Sequence, residues 1–437
     1  MAGQISVKFA DCPMKGKNMG VQRCKGSKDL FPEEMAKFRL IEGVFRNCCL
    51  KWGYEEVRTP TLEYLHLFTS TGTLTPGRLS KVYSFLDWDG WSGERVVLRP
   101  DSTIPVARLY IDGMEGKELA KLFYVANIFI FEETGKKTRE RWQGGAELIG
   151  AGSPLADVEL IILALEALTG LGLNNVELRL SHAGLIRALL MQLGLSSGEQ
   201  TKVFSRILDG DAEAVARLKT ERPELGRALT SLLSLRGKSS GFLKNSKALF
   251  IQNLPELEPP FDNFIDIVDL LETLGYDYQV DTTSGRGFEY YTGIIFQFFV
   301  DGERIGSGGR YDALIPLMGG RDVPASGFAL YFDRLMNLVK PETPAKTPAQ
   351  RILIRAEPEA IKESFNIAAY LREAGYVAQL LLGGREPANL RWILDVRSKA
   401  PQFVVTDQVK RRKFEVQTAT EVLPLLRGKG ADEDSLA

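Results

Sequence analysis

The sequence predicts an α+β protein: a sheet-based core interrupted by a helical insertion and followed by a small α/β domain. Three observations predict it. From Tyr54 to Val125 short β-rich pieces alternate with turns, and strand-like runs resume at DYQVDTT, GFEYYTGIIFQFFV and ERIGSGGRYDAL. Between these halves, residues 183–262 hold helical pieces rich in Leu, Ala, Arg and Glu. Beyond residue 350, short apolar strands alternate with helical stretches, the pattern of parallel pairing in an α/β unit.

Taken in order, residues 1–22 are Gly- and Lys-rich without periodicity and read as a loose arm, and the core domain spans 23–340. Ser27 to Glu34 announces the first helix: Pro32 suits a first turn because it has no N–H to lose, and Glu33 and Glu34 complement the helix dipole. Apolar residues at Phe38, Ile41, Val44, Phe45 and Cys48 keep helical spacing until Gly53 stops the run. The string WDGW reads as a hairpin turn between two strand-like pieces. Ser153-Pro154 caps a helix that continues through LADVELIILALEAL, and VELRLS (176–181) alternates as a half-buried strand does. The insertion, about 183–262, closes on the turn-like LPELEPPFDN, and a helix is expected from Gly327 to Leu338. PETPAKTPAQ (341–350) is a proline-rich linker, 351–427 the second domain, and 428–437 a polar, disordered tail.

Composition narrows the class. A chain of 437 residues, 44% hydrophobic and 25% charged, is long enough for more than one core. Its formal net charge of -1 offers no overall field for nucleic acid. The cysteines Cys12, Cys24, Cys48 and Cys49 form no C-x-x-C pair, and only His66 and His182 could complete a zinc site, so reduced thiols and no metal are expected. No apolar run reaches membrane-spanning length and the N-terminus lacks a secretory signal, which points to the cytoplasm.

Five segments carry a resemblance. LRPDSTIPVAR (98–108), IFIFEETGKKTRERWQGGAELIG (128–150), SGRGFEYYTG (284–293), GSGGRYDAL (306–314) and GFALYFDRL (327–335) resemble, in order, the signatures of class II histidyl-tRNA synthetases. The resemblance covers roughly 24–338 and implies a class II synthetase-like antiparallel sheet flanked by helices, assembled as a dimer; residues 351–427 resemble the anticodon-binding domain less clearly. It also implies a histidine pocket of Asp101, Thr103, Gln143, Glu147, Arg286, Tyr290 and Tyr291. The chemistry suits that ligand. Asp101, Thr103 and Gln143 offer acceptors to an ammonium, and Arg286 a cation to a carboxylate. Glu147 and a tyrosine hydroxyl can meet the two imidazole nitrogens. On a strand, Tyr290 and Tyr291 would face opposite ways, and only one would line the pocket.

The nucleotide side departs from the family. Where the synthetases carry Phe-Arg-x-Glu, this chain has Phe129-Ile130-Phe131-Glu132. Isoleucine cannot donate to phosphate, and losing one such donor typically costs about 3–4 kcal/mol of transition-state stabilisation. The loop with Lys136, Lys137 and Arg139 is also shorter by about one residue. Tyr331 stands where the family has glycine, Asp333 replaces a glutamate, and Arg334 is kept. Ile130, Glu132, Tyr331 and Arg334 thus read as a degenerate ATP site, with Ile130 and Tyr331 packed as core residues on a strand and a helix.

LRPDSTIPVAR resembles a non-catalytic branch, the regulatory subunits of ATP phosphoribosyltransferase, more than the synthetases. That resemblance implies a protein without its own cofactor. It would partner a short catalytic phosphoribosyltransferase subunit in a hetero-oligomer and take part in feedback inhibition by histidine at the first step of histidine biosynthesis. A diverged histidyl-tRNA synthetase is the alternative; a histidine-binding scaffold outside that pathway is a third reading. The basic run Lys410–Lys413 reads as a solvated face, so tRNA is not the expected partner.

Overall fold

The computed structural model describes residues 23–71, 79–87, 93–131, 138–192, 199, 203, 206, 222–282, 290–340, 350–382 and 390–427. The chain divides into two compact units, Met1–Pro341 and Glu342–Ala437.

The first unit is built on a nine-stranded sheet among the described residues. Its strands are β1 (Glu55–Glu56), β5 (Ala120–Phe129), β6 (Glu140–Ile149), β7 (Glu177–His182), β8 (Arg236–Gly237), β9 (Gln279–Asp281), β10 (Ile294–Val300), β11 (Glu303–Arg310) and β12 (Ala325–Tyr331). In space they run β1-β5-β6-β12-β11-β10-β7-β9-β8. The six strands from β5 to β7 are antiparallel throughout, while β1 and β9 add parallel pairs at the flanks, so the sheet is mixed rather than wholly antiparallel. β10 buries Ile294, Phe296 and Phe298 on one face and Ile295 and Gln297 on the other, as suits a central strand. It turns into β11 through Asp301 (φ 50°) and Gly302 (φ 77°), the two left-handed residues of a tight hairpin turn. A separate three-stranded sheet, β2 (Leu62–Tyr64), β4 (Arg95–Leu98) and β3 (Ser84–Leu86), stands beside it in that order. The WDGW string between β3 and β4 falls outside the described residues, although the two strands pair antiparallel.

Helices cover one face of the large sheet. The helix Pro32–Lys51 begins where the Phe31 N–H donates to Glu34 at 3.2 Å, and ends at Gly53, whose φ of 78° suits a residue just past a helix. It buries Phe38, Ile41, Phe45 and Cys49, at helical spacing. The helix Pro154–Gly170 is apolar nearly all round and packs against both Pro32–Lys51 and the sheet. Phe45 meets Phe123, Phe328 and Phe332 edge-on at 6.0–6.3 Å between ring centres, and this aromatic cluster backs β5, β6 and β12.

Two stretches differ from their sequence reading. Gly327–Leu338 is not one helix: β12 runs to Tyr331 and a helix covers only Phe332–Leu338. GFALY alternates, with Phe328 and Leu330 buried behind the sheet and Gly327, Ala329 and Tyr331 on the other face, a period of two rather than 3.6. LPELEPPFDN is not a turn but a 3₁₀ turn over Pro255–Leu257 entering the helix Glu258–Thr273. Its prolines sit in a first turn, where no N–H is required.

The second unit holds a five-stranded sheet ordered β14 (Val377–Leu380), β13 (Arg351–Ala356), β15 (Trp392–Val396), β16 (Phe403–Asp407) and β17 (Arg412–Val416). Only β14 and β15 pair parallel with β13; β16 and β17 are antiparallel because their connections are too short for a crossover helix. Its core of Ile352, Ile354, Ile367, Leu371, Trp392, Leu394 and Val405 lies between the sheet and the helices Ile361–Glu373 and Ala419–Leu426.

Candidate functional site

The face of the large sheet away from the aromatic cluster carries the site, and strand register decides what stands on it. Residues paired across antiparallel strands share a face. Glu147 pairs with Leu122 and Gly327, Gly145 with Tyr124 and Ala329, and Gln143 with Ala126 and Tyr331; further along, Ala329 pairs with Ser307 and Ser307 with Gln297. One face therefore collects Tyr124, Gln143, Glu147, Tyr331, Ser307 and Gln297.

Glycines keep this floor open. A Cβ at Gly327 would lie 1.7 Å from Glu147 Oε2, one at Gly145 would lie 2.3 Å from the Tyr124 hydroxyl, and one at Gly309 would lie 2.9 Å from the Tyr291 ring. The glycine strings of GSGGRYD and RWQGGAE thus make room for functional side chains to lie flat.

Glu147 is the centre. It is 1% exposed; its Oε1 accepts from Thr103 Oγ1 at 2.8 Å and from the Tyr124 hydroxyl at 3.4 Å, and its Oε2 accepts from the Tyr311 hydroxyl. Burial pushes its carboxyl up to about 8, with nearby Asp101 adding to the rise and the three hydroxyls opposing it. Near neutrality it can hold a proton or give it up in favour of a cationic or N–H-bearing ligand. Burial likewise holds the phenols of Tyr124, Tyr290, Tyr291 and Tyr311 protonated, so each can donate.

Asp101 closes one side. Its Oδ1 accepts the Ile104 N–H at 3.0 Å, which fixes the first turn of the helix Thr103–Gly113 and so aims Thr103 at Glu147. Tyr290 and Tyr291 close the other. They lie in the turn before β10 rather than on a strand, and they do not face opposite ways: their rings meet edge-on at 5.0 Å, and Tyr290 also meets Tyr311 at 5.7 Å. Thr103, Glu147, Tyr290 and Tyr291 are thus gathered around one spot with Asp101 at its rim, while Gln143 sits four residues along β6, beside Tyr331. Arg286 lies outside the described residues.

Tyr124 and Tyr311 went unmarked in the sequence. Tyr311 was visible inside GSGGRYDAL but had no assigned role, and Tyr124 looked like any strand residue of LFYVANIFIF. Only the register of β5 against β6 brings Tyr124 to Glu147. Below the pocket, Arg310 of the same string is buried in a bidentate pair with Asp157 of the helix Pro154–Gly170, at 2.8 and 3.1 Å, and also donates to the Ala151 carbonyl and Asp312. Burial raises Asp157 to about 6 despite that partner.

The second half of the site is differently furnished. Tyr331 ends β12 instead of sitting on a helix, and its hydroxyl lies 2.5 Å from Ser307 Oγ, so its ring lies across the sheet face. The Arg304 guanidinium is 6.0 Å from that ring. Arg334 is paired with Glu303 at the start of β11. Asp333 accepts the Trp142 backbone N–H at 3.0 Å, tying the helix Phe332–Leu338 to β6. Ile130 follows β5 and donates its N–H to the Arg139 carbonyl at 2.9 Å; it is half-buried rather than a core residue, because it stands at the open end of the β5–β6 ribbon. Arg139 covers the Phe131 ring at 4.6 Å. Glu132, Lys136 and Lys137 fall outside the described residues.

Among the described residues no group of three or more His, Cys, Asp or Glu side chains could hold a metal ion, and no helix is long and apolar enough to cross a membrane.

Comparison with known proteins agrees with this anatomy. A family profile described as histidyl-tRNA synthetase matches residues 26–335. An ATP phosphoribosyltransferase regulatory subunit of Dehalococcoides mccartyi is 53% identical over 409 residues, 94% of this chain and 99% of that protein. A histidine–tRNA ligase of Methanosarcina acetivorans is 34% identical over 366 residues, 81% of this chain and 83% of that one. Among solved structures, an ATP phosphoribosyltransferase regulatory subunit/histidyl-tRNA synthetase from Bacillus halodurans matches with a TM-score of 0.72 at 26% identity, covering 88% of this chain and 100% of the other. The apo histidyl-tRNA synthetase of S. aureus, at 20% identity and a TM-score of 0.64 over 94% of this chain and 99% of its own, shares the fold. By sequence and by its class II synthetase-like fold, the chain belongs to the histidyl-tRNA synthetase family, in the branch of ATP phosphoribosyltransferase regulatory subunits.

Proposed function

We propose that this chain is the regulatory subunit of an ATP phosphoribosyltransferase: non-catalytic itself, required by a short catalytic subunit, and taking part in feedback inhibition by histidine. The partner joins ATP to phosphoribosyl pyrophosphate in the first step of histidine biosynthesis, in the cytoplasm. The chain would act there as a homodimer inside a larger hetero-oligomer.

One observation carries the reading. The pocket around Glu147 gathers Thr103, Tyr124, Tyr290, Tyr291 and Tyr311, while beside it Tyr331 is bonded to Ser307, Arg334 to Glu303, and Ile130 stands where a phosphate donor would be needed. A site with those features suits a free amino acid and disfavours a triphosphate. In this reading the ligand's imidazole lies between Glu147 and the tyrosine hydroxyls, which supply an acceptor at one end and donors at the other. Asp101, Thr103 and Gln143 face its ammonium, and Arg286 its carboxylate. Histidine then regulates only through unequal affinity for two assemblies of the complex, so inhibition requires that they differ at this pocket.

The test uses two assays on the purified chain. Added to a short catalytic subunit, it should raise phosphoribosyl-ATP formation, and histidine should reverse that gain. Alone, with histidine and ATP, it should give no ATP–pyrophosphate exchange. Robust exchange would reverse the reading in favour of a working histidyl-tRNA synthetase.

A further inference from the structure

We infer that Arg187 is the positioning residue of the Tyr290–Tyr291 turn, and that through it the helical insertion responds to what occupies the pocket. This rests on the reading of that pocket as an amino-acid site.

The turn is held from two sides. On the core side, the Arg310 carbonyl accepts the Thr292 N–H at 2.8 Å, Asp312 N–H donates to Thr292 Oγ1 at 3.0 Å, and Arg310 is locked to Asp157. That side is anchored to the helix Pro154–Gly170 and has little freedom. On the other side stands the helix Ala183–Met191, the first of the insertion. Its Ala183 N–H donates to the Gly293 carbonyl at 2.8 Å, and Arg187 Nε donates to the Tyr291 carbonyl at 2.9 Å. Burial lowers the Arg187 guanidinium's hold on its charge, so a bond from it to a backbone carbonyl lies in a poorly solvated setting, where such bonds are strong. The same helix packs against Pro223–Leu233, the next described helix of the insertion, and Thr282 Oγ1 donates to the Leu232 carbonyl at 2.6 Å, tying that helix back to the end of β9.

A ligand that tightens the Tyr290 and Tyr291 rings must fix the Tyr291 peptide unit that bears the acceptor carbonyl. Arg187 passes that constraint to the first helix of the insertion, whereas Arg310 passes it only to the core. The insertion is therefore the element whose order should change with pocket occupancy.

The experiment compares the full-length chain with Arg187→Met and Arg187→Lys, using L-histidine as the probe, by calorimetry and by hydrogen–deuterium exchange. In the parent chain, histidine should slow exchange in Tyr290–Gly293 and in Ala183–Met191 together. Arg187→Met should weaken histidine about tenfold, as loss of one charge-assisted hydrogen bond implies. It should also abolish the histidine-dependent protection of Ala183–Met191 while leaving protection of β6 around Glu147. Arg187→Lys, which keeps a cationic donor, should recover most of the affinity; failure of the methionine variant to fold leaves the lysine variant, expected to show a partial loss of the helix protection, as the test. Unchanged affinity and unchanged helix protection in Arg187→Met, or in Arg187→Lys if only that folds, would overturn the inference. If the parent chain binds no histidine, the pocket reading has failed instead, and ligand-free exchange decides the positioning role. Arg187→Met should then speed exchange at the Ala183 and Thr292 amides about tenfold, and equal rates would sink it.

Discussion

At the scale of single residues, Glu147 sets the pH behaviour. Its carboxyl titrates at about 8 in the folded chain against an ordinary 4.5, so the folded state holds the proton more tightly than the unfolded chain does. Its contribution to stability is therefore complete below about 4.5 and is lost as pH rises through about 8. Glu147→Gln should flatten that decline; urea unfolding of both chains between pH 5 and 9 checks it, and parallel slopes would remove Glu147 as its source. Gly327→Ala should be poorly tolerated, because its Cβ would occupy the place of Glu147 Oε2. Overpacking of this kind costs about 1–3 kcal/mol, and histidine affinity measured by calorimetry should fall with it. The motifs suffice at this scale to group Asp101, Thr103, Glu147, Tyr290 and Tyr291, which the fold places around one spot. What the motifs could not carry was partnership. That Tyr124 and Tyr311 bind Glu147, and that Arg334 is held by Glu303, depends on registers and turns set by strands far apart in the chain.

At the scale of elements, strand pairing and one buried ion pair hold the site's outline. Arg310 and Asp157, 4% and 0% exposed, link β11 to the helix Pro154–Gly170. Removing one partner of such a pair leaves an uncompensated charge and costs about 3–5 kcal/mol. Arg310→Met should therefore lower the urea midpoint sharply, and it should loosen the Thr292 turn as well. A change below about 1 kcal/mol would show that water or a neighbour replaces the lost partner. The elements themselves were legible where periodicity was clean, as in Pro32–Lys51 and Pro154–Gly170. They were illegible where short segments mixed signals. Gly327–Leu338 carries apolar residues dense enough to suit a helix, and only sheet pairing on both sides of β12 shows why the first part is extended. Pro259 and Pro260 make LPELEPPFDN look like a turn, yet they open a helix.

At the scale of the whole molecule, each unit has its own core, from Phe38 to Val339 in one and Ile352 to Leu426 in the other. Produced separately, 23–340 and 350–427 should each melt cooperatively, as followed by circular dichroism; a broad, featureless transition in either would show that it leans on the other. The boundary between the two units falls at the start of PETPAKTPAQ, whereas the antiparallel half of the second sheet has no signal in the sequence, because alternating strands and helices suggest only crossovers. The hairpin between β10 and β11 has one more consequence. By turning at Asp301 and Gly302 it delivers the Glu303 carboxylate to Arg334, and in the proposed reading that carboxylate stands as an internal decoy for a guanidinium that a nucleotide would otherwise court. Glu303→Gln should unmask that guanidinium and raise the retention of a fluorescent ATP analogue, most visibly when Tyr331→Gly reopens the adjoining floor. In the proposed reading, a nucleotide would meet there a counterfeit of its own charge as well as bulk.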